Sequence, residues 1–116
     1  MRVENIVRQL ERALERLTWD PDQQLEFISR LGVGPDELAL EFDDSFRIAS
    51  GMADQSMLPS SVMEILRPID DILAGMTNSG PAEWTTRAVS ESQTWVSLRD
   101  AAQVSLESLR RTDFNM

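Results

Sequence analysis

The sequence predicts an all-α protein, a single-domain bundle of five or six helices whose neighbours are mostly antiparallel. Apolar residues recur at intervals of three and four along most of the chain, and no stretch has the alternation typical of a strand. Helix-start residues and Gly or Pro breaks divide that pattern into short segments. A chain of 116 residues is long enough for one buried core. We assign residues 1–111 to this domain and residues 112–116 to a flexible C-terminal tail.

The first two helices have clear patterns. A helix over residues 1–17 carries the apolar stripe Val3, Val7, Leu10, Leu14 and Leu17. The stripe is two heptads long, so it also allows a homodimer joined through this helix. Asp20 can cap the second helix, with Pro21 in its first turn and Gln23 at the capping-box position. Gly32 is then a suitable left-handed end.

The third helix is predicted to begin at Gly34 and Pro35 and to fray near Gly51. Its buried face contains Leu38, Phe42, Phe46 and Ala49. After a loop over residues 52–60, Ser61 and Glu64 form a capping box for the fourth helix.

Proline and serine define the remaining predicted boundaries. Pro68 should kink or split the fourth helix near Arg67, because proline has no N–H to donate. Pro81 opens a short helix that runs through Ala88. Ser90 and Gln93 form the capping box of the last helix, whose apolar positions are Trp95, Leu98, Ala102, Leu106 and Leu109.

Composition excludes several classes of function. The chain has no Cys, His or Tyr, which removes thiolate zinc sites and the commonest general base. Its net charge of −9 argues against binding to nucleic acid or to an anionic membrane and favours a cationic partner. We therefore expect no catalytic residue, cofactor or metal. No apolar signal region and no membrane-length run is found, so we expect a cytoplasmic protein.

The negative charge is concentrated in one part of the chain. Residues 33–71 contain two arginines and nine acidic residues, a net charge of −7 out of the total of −9. Glu37, Glu41 and Asp44 fall close to one line along the third helix, with Asp43 on the neighbouring row. Trp84 is added because tryptophan is enriched at interfaces. The predicted partner-binding residues are Asp36, Glu37, Glu41, Asp43, Asp44, Asp70, Asp71 and Trp84.

A resemblance gives this acidic face a specific interpretation. The segments DELALEFDDSF and WTTRAVSESQTWVSLRDAA look like parts of small bacterial helical proteins. In size, charge and helicity the chain resembles the helical bacterial immunity proteins. That resemblance implies a non-enzymatic antitoxin whose carboxylates pair with the cations of a basic toxin domain, such as a nuclease. A solvated face that only maintains solubility is the simpler alternative.

Two other hypotheses remain open at this stage. Glu41 and Asp44 have the E-x-x-D spacing of the all-α nucleotide pyrophosphatases, which they resemble in this respect, and a magnesium-dependent enzyme of that kind is one alternative. The second acidic motif of that family is not matched, because Glu11 and Glu15 are spaced differently. The other alternative is a structural or regulatory homodimer formed through the first helix.

Overall fold

A computed structural model describes residues 2–112 of the chain. Its elements are α1 (Val3–Thr18), α2 (Pro21–Leu31), α3 (Asp36–Asp54), α4 (Ser60–Asn78), a 3₁₀ helix (Pro81–Trp84), α5 (Thr86–Glu91) and α6 (Gln93–Arg111). This part of the chain contains no strand, and the predicted all-α bundle is confirmed. None of its helices combines the length and apolarity needed to cross a bilayer. Most of the predicted tail, residues 113–116, lies outside the described residues.

The four long helices α1, α3, α4 and α6 form the body of the bundle. Arg16 near the end of α1 is ion-paired with Glu41 in the first half of α3, and the earlier α1 residue Arg12 lines the same depression as the later α3 residue Asp44, so these two helices are antiparallel. The Ser105 hydroxyl of α6 donates a 2.9 Å hydrogen bond to the Ile65 carbonyl of α4. The first half of α3 lies beside the second half of α4, which makes that pair antiparallel as well.

The core uses the predicted apolar faces. Trp95 and Phe42 are its largest fully buried side chains, and Leu10, Leu14 and Leu17 are fully buried with them. Burial of such side chains is the main favourable term in the stability of a domain of this size. The stripe of α1 is therefore used within its own domain.

Three short elements close one end of the bundle. Gln24 of α2 is fully buried and donates to the carbonyls of Arg16 and Leu17 at 3.1 and 3.2 Å. The Arg99 guanidinium of α6 donates to the Gln24 Oε1 atom at 3.0 Å and also to the Val89 carbonyl of α5. Burial lowers the pKa of Arg99. This polar network joins α2, α5 and α6 at the end of the bundle.

Some predicted helix ends are confirmed. Asp20 and Gln23 form the expected capping box, with a 2.9 Å hydrogen bond from the Gln23 N–H to the Asp20 carboxylate. Gly32 ends α2 in the left-handed region, with φ of 69°. The Val33 N–H then bonds back to the Ile28 carbonyl at 3.0 Å, which completes a Schellman motif.

Other predicted boundaries were wrong. Helix α4 begins at Ser60 without a side-chain cap, so the Ser61 box does not form. The last helix is capped instead by Ser92, whose hydroxyl accepts from the Thr94 N–H, because Ser90 lies inside α5. Pro68 does not split α4, which is a single helix. Pro68 and Glu64 are both exposed, so water can satisfy the Glu64 carbonyl that loses its partner.

Candidate functional site

A groove of about 580 Å³ lies on the surface between the first half of α3 and the second half of α4. The 3₁₀ helix closes one side of it. This volume is within the range of binding clefts for small molecules and partner side chains. The groove is lined by Asp36, Ala39, Leu40, Asp43, Arg47, Asp70, Leu73, Ala74, Thr77, Asn78, Pro81 and Trp84.

Helical periodicity explains why these residues share one concave surface. On α3 the lining positions are separated by three, four, seven and eleven residues from Asp36, which places them on one face. On α4 they are separated by three, four, seven and eight residues from Asp70. Ala39 and Ala74 have small side chains, so the two helix surfaces leave an open space between them. The middle of the groove is apolar because Ala39, Leu40, Leu73 and Ala74 line it.

Trp84 forms the wall of the groove on the side of the 3₁₀ helix. Its indole is half-buried and packs edge-on against Trp95, with 6.1 Å between ring centroids and an interplanar angle of 85°. Trp95 is fully buried and donates its Nε1–H to the Glu83 carbonyl at 2.7 Å. Trp84 is thus held against a fixed core residue. Trp84, one of the predicted partner-binding residues, lines the groove.

Three of the predicted carboxylates border this apolar surface: Asp36, Asp43 and Asp70. The Nε atom of Arg47, one turn further along α3, lies 3.0 Å from the Asp43 Oδ2 atom and forms an ion pair with it. The Arg47 side chain is 77% exposed, so this pair is screened by water and contributes little to stability. Among the described residues that line the groove, Arg47 is the only basic one.

The pKa of the Asp70 carboxyl is shifted by the groups around it. Its pKa is raised, first by partial burial and then by the negative charges of Asp43 and Asp71, while Arg67 lowers it. The repulsion between Asp43 and Asp70 acts between α3 and α4. A cation placed between these two carboxylates would remove that repulsion and favour the charged form of both.

Glu41 and Asp44 lie on a different side of α3. They line a shallow depression of about 280 Å³ next to Arg12 and Arg16 of α1. Glu41 is ion-paired with Arg16, whose guanidinium also lies 4.7 Å from the centre of the Phe27 ring. The line predicted through Glu37, Glu41 and Asp44 is therefore not part of the groove, and Glu37 is half-buried. Successive helix residues point about 100° apart, so Asp36 and Asp43 face α4 while Glu41 faces α1.

Asp71 belongs to a third surface. It lines a depression of about 430 Å³ near the connection between α3 and α4, together with Asp54, Glu64 and Arg67. Asp70 borders both this depression and the groove. Within residues 2–112, no group of three or more acidic residues could hold a metal ion. The magnesium hypothesis based on Glu41 and Asp44 gains no support from this arrangement, since Arg12 and Arg16 lie next to them.

The acidic pattern of the sequence does not indicate the apolar part of the site. Leu40 is 47% exposed and lies in the groove, next in the chain to the small Ala39. One signal was available, because Leu40 is out of phase with the buried face at Leu38, Phe42 and Ala49. An apolar side chain on an otherwise acidic face can mark a binding surface. Leu73, Ala74 and Pro81 gave no such signal.

No protein-family model, curated protein or solved structure matches this chain.

Proposed function

We propose that this chain is a protein-binding module that neutralises a basic protein partner, as immunity proteins and antitoxins neutralise toxin domains of the nuclease type. The observation that supports this proposal is the groove between α3 and α4. It combines an apolar floor, a half-buried Trp84 and three carboxylates, those of Asp36, Asp43 and Asp70. A partner surface with apolar side chains flanked by Lys or Arg is complementary to this combination.

The charge distribution supports the same kind of partner. Residues 33–71 carry a net charge of −7, and both helices that form the groove lie within or overlap this segment. A field of this sign attracts a basic protein and raises its association rate, and added salt reduces the effect. Asp44 lies outside the groove on the side of α1, where Glu41 is already paired with Arg16.

The chemistry of a nuclease-type partner supports the neutralising role. A nuclease holds phosphates with Lys and Arg, and a carboxylate-bordered surface can pair with those cations in place of phosphate. Masking of this kind needs no nucleophile and no general base. It is therefore compatible with a chain that has no His, Cys or Tyr.

The test compares two triple variants that change the charge equally. The groove variant is Asp36→Asn with Asp43→Asn and Asp70→Asn. The control is Asp44→Asn with Asp54→Asn and Asp71→Asn, which lie on the same two helices outside the groove. Partners are captured from the native host on wild-type protein and both variants, identified by mass spectrometry and purified. Binding is then measured by calorimetry at low and high salt.

We expect the groove variant to bind about ten- to a hundredfold more weakly, because three ion pairs of roughly 0.5–1 kcal/mol each are lost. The control should lose much less affinity, and its loss should disappear at high salt. Equal losses in the two variants would remove the groove as the binding site. Neutralisation is tested separately: co-expression of the wild-type protein should restore growth to cells that produce the captured partner, and absence of rescue would contradict this role.

A further inference from the structure

The polar and apolar residues of the groove have a defined order along α3. Asp36 lies at one end, Ala39 and Leu40 follow, and Asp43 lies beyond them, near Asp70 of α4. Seven residues separate Asp36 from Asp43, which corresponds to about 10 Å along a helix axis. A ligand that uses both ends therefore needs two cations about 10 Å apart with apolar groups between them.

The walls of the groove restrict the backbone conformation of such a ligand. Both long walls are α-helices, whose backbone groups are hydrogen-bonded within each helix apart from the terminal turns and the Glu64 carbonyl opposite Pro68, which lies outside the groove lining. Residues 2–112 provide no strand edge with which an extended segment could pair. A segment that enters an apolar groove must satisfy its own backbone N–H and C=O groups, and a helix does so internally.

We infer that the groove receives an amphipathic basic helix of the partner, with Arg or Lys at two positions seven residues apart and apolar side chains at the third and fourth positions between them. This inference rests on the proposed function, since it specifies which part of a basic partner enters the groove. The two cations pair with Asp36 at one end and with Asp43 and Asp70 at the other. The apolar pair packs on Leu40, Leu73 and Trp84.

Three synthetic peptides test this inference with the full chain. The first is held helical by a lactam bridge on its outer face and has Arg at positions i and i+7 and Leu at i+3 and i+4. The second differs from the first only by a central proline that breaks the helix. The third has the same composition with Arg and Leu in alternation, as in an extended strand. Binding is measured by calorimetry and by the NMR shift of the Trp84 indole N–H.

A pair of protein variants locates the binding. Ala74→Phe fills the groove from an exposed position, whereas Val104→Phe places the same ring on the exposed face of α6. We expect the helical peptide to bind at least tenfold more tightly than the other two and to shift the Trp84 signal. Ala74→Phe should abolish its binding, and Val104→Phe should leave it unchanged.

The outcomes separate this inference from the proposed function. Equal or tighter binding of the broken or alternating peptide would overturn the helical inference but would not contradict the proposal of a basic partner. The same conclusion holds if no peptide binds while the affinity for the captured partner still depends on Asp36, Asp43 and Asp70. If the partner's affinity is also independent of these three carboxylates, the proposed function fails as well.

Discussion

The carboxylates of Asp43 on α3 and Asp70 on α4 repel each other at the groove, and this repulsion contributes to the raised pKa of Asp70. Two like charges beside an apolar surface repel each other in the folded state. Two uncharged side chains at the same positions would therefore favour folding more. Its presence is consistent with a surface that is completed by a cation from another molecule. The relationship between these two residues can be tested directly.

Asp43→Asn is expected to lower the pKa of Asp70. The substitution removes the negative charge of Asp43, while burial and Asp71 continue to act, so the pKa of Asp70 should stay above that of an unperturbed aspartate. Carbon-13 NMR titration of the Asp70 carboxyl measures the change. Asp44→Asn on the side of α3 that faces α1 is the matched control and should leave the titration unaltered. An unchanged Asp70 titration in Asp43→Asn would mean that the two carboxylates do not interact.

Asp70→Asn should make the protein more stable at neutral pH. Because the pKa of Asp70 is raised in the folded state, the native protein holds this proton to a higher pH than the unfolded chain does. Stability is therefore lost as the pH rises from the ordinary aspartate pKa of about 4 through the raised value. Urea unfolding at pH 7 should give a larger free energy of unfolding for Asp70→Asn than for the wild type. At pH 3 the difference should vanish, and a difference that persists there would exclude ionisation as its cause.

The main features of the fold could be predicted from the sequence because they depend on local spacing. The apolar stripe of α1 and the Asp20–Gln23 box need only residues within one helix or turn. The division of the acidic residues of α3 could not be predicted in the same way. The buried face at Leu38 and Phe42 fixes which side of α3 points inward. It does not reveal that one flank, at Glu41, meets the arginines of α1 while the other, at Asp43, borders the groove beside α4.

Helix boundaries were predicted less well where several candidate caps lie close together. Ser90 and Ser92 are both suitable N-cap residues for a helix. Ser92 is used because its hydroxyl accepts from the Thr94 N–H and donates to the Glu83 carboxylate at 2.8 Å. Glu83 is nine residues away, on the 3₁₀ helix. A contact between residues this far apart cannot be predicted from the local sequence pattern.

Arg99→Met should destabilise the closed end of the bundle. The substitution keeps much of the apolar stem and leaves the Gln24 Oε1 atom and the Val89 carbonyl without their donor. We expect a loss of about 1–3 kcal/mol in the free energy of unfolding, typical of unsatisfied buried polar groups. Arg87→Met is the control, since Arg87 makes only an exposed pair with Glu91 and should change stability by less than about 0.5 kcal/mol. Urea unfolding compares them, and equal effects would show that the Gln24 network contributes nothing.

Pro68→Ala should stabilise the protein without altering the groove. Pro68 lies inside α4, where it provides no N–H for the Glu64 carbonyl. Alanine restores this hydrogen bond and has the higher helix propensity, so we expect a gain of roughly 1–3 kcal/mol in the free energy of unfolding. Pro21→Ala is the matched control: Pro21 is the first residue of α2, where its N–H is not needed, and its loss should cost up to about 1 kcal/mol. Thermal and urea unfolding measure both. A loss of stability in Pro68→Ala would mean that the core between α4 and α6 requires the backbone geometry that proline imposes at this position.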